Sequence, residues 1–136
     1  MRTSALRLRL WAAAALGFAA AGCVVAAAGA GAGGGIYFVE RGVESVVPAS
    51  VDRAAQATQQ AFDALAIRRT KASSEQDGGG EKREIAGAAT DRDVTVTLKS
   101  ESNTSTRVQV VARKSAVTWD KDFARAILEK IVAYSR

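Results

Sequence analysis

Thirty consecutive residues, Leu10 to Val39, carry no charge in a chain of 136, and no other feature limits the possible folds as strongly. The first part of this tract, LWAAAALGFAAAGC, follows Arg2, Arg7 and Arg9 and runs into Cys23, the one cysteine of the chain. A basic start, a twelve-residue apolar run from Leu10 to Ala21 and small residues before the cysteine form the layout of a secretory signal. From Glu40 onward 97 residues remain for a folded domain. That length supports one small core, and with a single cysteine no internal disulfide reinforces it.

The signal changes how charge is read. The whole chain carries +5, which alone suggests a mildly basic domain with affinity for nucleic acid or a membrane. Without residues 1–22 the balance is sixteen basic against fourteen acidic residues, or +2, with no block of five or six like charges. Nucleic acid is therefore not expected as a partner.

The residues around Cys23 resemble the lipobox of bacterial lipoproteins, in which small residues precede a cysteine that receives a diacylglyceryl thioether before cleavage on its amino side. Ala21 and Gly22 match that pattern, and Ala20 stands where leucine is preferred. The plainer reading is a signal cut after Ala19-Ala20-Ala21, leaving Cys23 an incidental thiol. Lipidation explains the lone cysteine as well as the apolar run, and two or three acyl chains at about 0.8 kcal/mol per buried CH₂ hold a domain firmly at a bilayer. Val24, following the cysteine, is not the aspartate that commonly retains lipoproteins at the inner membrane.

Residues 24–39, VVAAAGAGAGGGIYFV, admit two readings. One is a flexible Gly/Ala spacer between lipid and domain. The other is an uncleaved anchor, since thirty uncharged residues suffice to span a bilayer, with Gly29-x-x-x-Gly33 and Gly31-x-x-x-Gly35 offering close helix contacts.

Beyond the tract, periodicity takes over. Val39, Val43 and Val47 share one parity and Glu40 and Glu44 the other, which predicts a strand ended by Pro48. Ser50 is placed to cap a helix over 51–65, with Asp52 in its first turn. Its predicted apolar stripe is Val51, Ala54, Ala55, Thr58, Phe62 and Leu65, with Gln56, Gln59, Gln60 and Asp63 facing water. Strands follow at 66–76 and 81–90 around a Gly78-Gly79-Gly80 turn, the second predicted to pack poorly because of Gly87 and its alanines. Val94, Val96 and Leu98, then Val108, Val110 and Ala112, alternate with polar residues across a loop at 100–105 and predict an antiparallel hairpin. A last helix over 120–134 starts at an Asp120 cap, and Trp119 before it reads as a core plug.

Chemistry-bearing motifs are sparse. There is no histidine, so the commonest general base and the commonest metal ligand are missing. Asp91 with Asp93, and Asp120 with Asp122, read as turn and cap residues rather than acid/base pairs. The triple glycine precedes Glu81 rather than the Lys-Ser/Thr of a phosphate loop. Arg68, Arg69, Lys71, Lys82 and Arg83 are interleaved with Glu75, Asp77, Glu81 and Glu84, the pattern of a solvated mixed-charge face. No catalytic residue, cofactor or metal site is predicted.

The ordering as a whole resembles a family of short bacterial lipoproteins known only as a domain of unknown function. The likeness rests on Gly22-Cys23 with its Gly/Ala tract, the aromatic pair Tyr37-Phe38, the segment VESVVPASVDRAAQATQQAFDALAI, and the closing FARAILEKI helix after two alternating strands. It implies a periplasm-facing α+β domain on a lipid anchor and carries no catalytic residues. The expectation is thus a signal peptide over 1–22, a lipid-anchored spacer over 23–39 and a domain over 40–136. The domain is expected to be an antiparallel sheet of four to five strands with two amphipathic helices packed on one face, preceded by a signal or anchor helix. It would be tethered by a lipid on Cys23 at the cell membrane or outer membrane, serving as a non-enzymatic binding or assembly module with an envelope protein as a possible partner.

Overall fold

The computed structural model describes residues 35–136. Seven strands and two helices occupy them: β1 (Tyr37–Phe38), β2 (Val43–Val47), α1 (Val51–Ala64), β3 (Arg68–Asp77), β4 (Gly80–Ala89), β5 (Arg92–Ser102), β6 (Ser105–Ser115), β7 (Thr118–Trp119) and α2 (Lys121–Tyr134). The strands form one sheet in the order β1-β2-β6-β5-β4-β3, with β7 paired to β6 off that path. Every pairing is antiparallel.

The expected α+β class, the five long strands and the two helices are present; the strand count rises to seven. The two added strands have two residues each, too short for alternation to mark them. β1 takes in Tyr37 and Phe38, which were expected in the spacer, and the strand expected from Val39 begins only at Val43, after a turn closed by Val39 N–H donating to Gly42 O at 3.0 Å. The loop expected at 100–105 shrinks to Asn103 and Thr104.

Alternation decides which face of the sheet is covered. Val43 and Val47 on β2, Val94, Val96 and Leu98 on β5, and Val108, Val110 and Ala112 on β6 are all buried in one cluster with Ala54, Ala57, Ala61 and Phe62 of α1 and Ala124, Ile127, Leu128 and Ile131 of α2. Both helices therefore lie on one face. Ala57 and Ala61 join the stripe predicted for α1, whereas Ala55 and Leu65 sit at its margin. Buried hydroxyls are satisfied within this layer: Thr106 Oγ1 donates to Ala49 O, and Thr58 Oγ1 to Ala54 O, each at 2.8 Å.

Helix starts follow the predicted caps. Arg53 N–H donates to Ser50 Oγ at 3.3 Å and Phe123 N–H to Asp120 Oδ1 at 2.9 Å. The end of α1 has no glycine and uses Ala66 instead, at φ 55°. Ile67 N–H reaches Phe62 O at 2.8 Å and Ala66 N–H reaches Asp63 O at 3.4 Å, the paired bonds of a Schellman ending. This turn sends the chain from the helix layer into β3.

Gly87 corrects the expectation of poor packing on β4. It is buried, and a Cβ there would meet Ile67 Cγ2 at 2.7 Å and Phe62 Cε2 at 2.8 Å. The space a side chain would need is filled by those two residues, so the glycine permits close packing.

Candidate functional site

The predicted lipidation residue Cys23 and its neighbours Ala20, Ala21 and Gly22 lie outside the described residues, as do the signal segment and most of the Gly/Ala tract. Among the described residues, no group of three or more His, Cys, Asp and Glu side chains is placed to hold a metal, and no helix is long and apolar enough to cross a membrane.

The acidic pairs separate into different roles. Asp120 caps α2 and also accepts from Arg92 Nε at 2.7 Å, while a second Arg92 nitrogen donates to Asp91 Oδ1 at 2.8 Å. The Arg92 guanidinium carbon stands 5.0 Å from the centroid of the Phe123 ring. One arginine thus ties the β4–β5 turn to the start of α2. The Phe123 N–H, and after it Arg92, holds the Asp120 carboxyl below the usual carboxylate range against the opposing effect of burial.

Asp93 belongs to a different surface. Strand alternation points Thr95 of β5 and Val111 of β6 away from the helices, and those residues are paired in register, as are Asp93 with Arg113. β7 extends this corner by pairing Trp119 with Arg113. Arg41, in the β1–β2 turn, completes it: its guanidinium carbon lies 5.6 Å from the Trp119 ring centroid. Gly42 makes that approach possible, because a Cβ there would fall 2.1 Å from Val110 O. Arg41, Asp93, Thr95, Val111, Arg113 and Trp119 line a cavity of about 260 Å³.

Trp119 is accordingly half-buried at the wall of a groove and is not the core plug expected from sequence. It precedes the α2 cap, as read, but its pairing to β6 keeps it on the sheet's uncovered side. Arg113 and Asp93 face one another across the ladder without forming an ion pair, and Arg41 has no carboxylate partner among the described residues. The groove therefore presents two guanidinium groups, an indole and one carboxylate that internal pairing leaves available. This set suits an anionic group held between the guanidinium groups of Arg113 and of Arg41, the latter positioned by its stacking on the indole. Sequence reasoning missed it because a turn residue, a two-residue strand and the outward side of two longer strands share no periodic signal.

Elsewhere on the uncovered face a third arginine is held by carboxylates. Arg107 donates to Glu101 at 2.6 Å and Glu44 at 2.7 Å, which raises its own pKa and lowers that of Glu101. On the helix side, Arg83 binds Asp52 and Glu81, joining β4 to the first turn of α1. The predicted basic cluster is thus divided between the two faces and mixed with acidic residues on each.

A model of a family described as proteins of unknown function, DUF3568, matches residues 5–133. No curated protein matches the chain.

Proposed function

This chain belongs to the DUF3568 family of proteins of unknown function, and from its own residues we propose that it is a lipid-anchored, non-enzymatic component of the bacterial envelope. In this reading Cys23 carries a diacylglyceryl thioether, the anchor sits in the cell membrane or outer membrane, and the domain faces the periplasm as a binding module. Support for the anchor comes from the basic start, the apolar run and Gly22-Cys23, all but the first four residues within the span of the family match. The observation that carries the binding role is the groove where Arg41 covers Trp119 and Arg113 stands opposite an unpaired Asp93. Its ligand is one that presents an anionic group.

Two experiments test the halves separately. Growth with a fatty-acid analogue is expected to label the wild type and leave Cys23→Ser unlabelled; label that persists in the serine variant removes the lipoprotein reading. Titration of the full chain in detergent with sulfated dextran, read by Trp119 fluorescence in a Trp11→Phe background, is expected to give a saturable change that Arg113→Ala weakens about tenfold. An unchanged titration curve in that variant removes the groove as the site.

The alternative is an uncleaved membrane anchor that oligomerises through its glycine-rich segment, favoured by the thirty uncharged residues of 10–39. An intact mass beginning at or near Met1 supports it; a mature start at Cys23 with added lipid mass excludes it.

A further inference from the structure

The two edges of the sheet are unequal. β1 ends it with two residues, whereas β3 presents ten residues along its outer side, nine of them exposed, and no described strand pairs there. A long open edge is a template for another strand. Its charge is segregated: Arg68, Arg69 and Lys71 fill the first half, Glu75 and Asp77 the second. Laid parallel, two such strands oppose like charges; laid antiparallel about a two-fold axis, they oppose unlike ones.

We propose that the chain forms a two-fold dimer by antiparallel pairing of β3 with β3 of a second copy, centred on Ser73. The register follows from geometry. Opposed residues must match in the direction of their N–H and C=O groups and keep their side chains on one face, so their numbers share parity. Centring on Ser73 sets Lys71 opposite Glu75 of the second copy, twice by symmetry. Within each chain Glu75 stands in register with Lys82 of β4 without an ion pair to it, so its carboxylate is free to meet the second copy's ammonium. On the helix-covered side the same register opposes Ala72 and Ser74, side chains small enough to let the backbones close. The β-bulge between Arg69 and Lys71 lies outside this central stretch. The interface is isologous and uses up the long edge of each copy, leaving the two-residue β1 edges at the ends of a closed dimer.

The full chain in detergent tests this by sedimentation and by cross-linking. The wild type is expected to dimerise, Lys71→Glu and Glu75→Lys each to weaken dimerisation by about tenfold or more, and the double exchange to dimerise more tightly than either single variant, since the swap rebuilds both intermolecular pairs although it sets an ammonium at position 75 opposite Lys82. In a Cys23→Ser background, Ser73→Cys is expected to form a disulfide dimer on mild oxidation. Glu75→Cys, displaced from its own copy by four residues or about 13 Å along the seam, is expected to remain without a disulfide. These side chains lie along an open edge, so circular dichroism is expected to show every variant folded. A monomeric wild type, a dimer indifferent to both charge reversals, a double exchange no tighter than the single variants, or equal cross-linking at 73 and 75 overturns the proposal. So does a β3 edge whose amides become protected only on addition of another envelope protein, which would assign the edge to a foreign strand.

Discussion

The sheet has two halves built by the same hydrogen-bond ladder and stabilised in different ways. In the half formed by β2, β6 and β5, the central helix-facing residues are enclosed by the two helices, and the valines among them and Leu98 have almost no exposure. In the half formed by β3 and the outer part of β4, the ladder continues through nine registered pairs while burial stops at Ile85 and Gly87. The contrast shows that backbone pairing extends a strand well past the reach of the core, and that stability and strand length are separate quantities in this domain.

Mutations can break or sharpen that contrast. The largest expected effect is at Leu98, where truncation to alanine leaves a cavity under the helices and costs about 2–5 kcal/mol in denaturant unfolding. A cost under about 1 kcal/mol there would erase the distinction between halves. At the seam between them, Gly87→Ala forces a methyl against Ile67 and Phe62 and is expected to cost about 1–3 kcal/mol. Asp120→Ala, which removes the α2 cap and the Arg92 partner, is expected to cost about 1–2 kcal/mol by the same measurement. In the overhanging half, Gln76→Ala is expected to stay within about 0.5 kcal/mol of wild type, because the residue is exposed and outside the core.

Asp120 also gives the covered half a pH signature. Its folded pKa lies below the unfolded one, so its contribution to stability is complete above about pH 3.9, the ordinary aspartate value, and is lost as pH falls through the lower folded pKa. The Asp120→Asn variant retains a capping oxygen without a charge. Thermal unfolding of that variant, followed from about pH 6 to about pH 2 so as to bracket the aspartate range, is expected to show a shallower acid loss than wild type; identical slopes would assign the acid sensitivity to other carboxylates.

The long elements were legible because burial on one face imposes a period. Val94, Val96 and Leu98 alternate, α1 and α2 repeat at helical spacing, and Ser50 and Asp120 cap as their positions require. What escaped were features that depend on contact between distant segments. Gly87 reads as a weakness until Ile67 and Phe62 are seen occupying its side-chain space. Gln59, read as facing water, is half-buried, with its amide nitrogen on Asp63 at 3.0 Å and its Oε1 enclosed. The groove is the extreme case, since Arg41 and Trp119 are brought together across 78 positions by a turn and a two-residue strand.

The position of β6 between β2 and β5 also sets an order of assembly. The strands from β3 to β6 form a meander in which each pairs with its successor, so their ladders join segments close in sequence and need only short loops to close. β2 precedes them all, yet Val43 finds its partner at Val110, and α1 must wait for α2 to complete its layer. The entropic cost of closing that long loop falls late. The amino-terminal part of the domain is thus a latch: it seals a sheet already made, and until the last helix is free the chain stays unlocked.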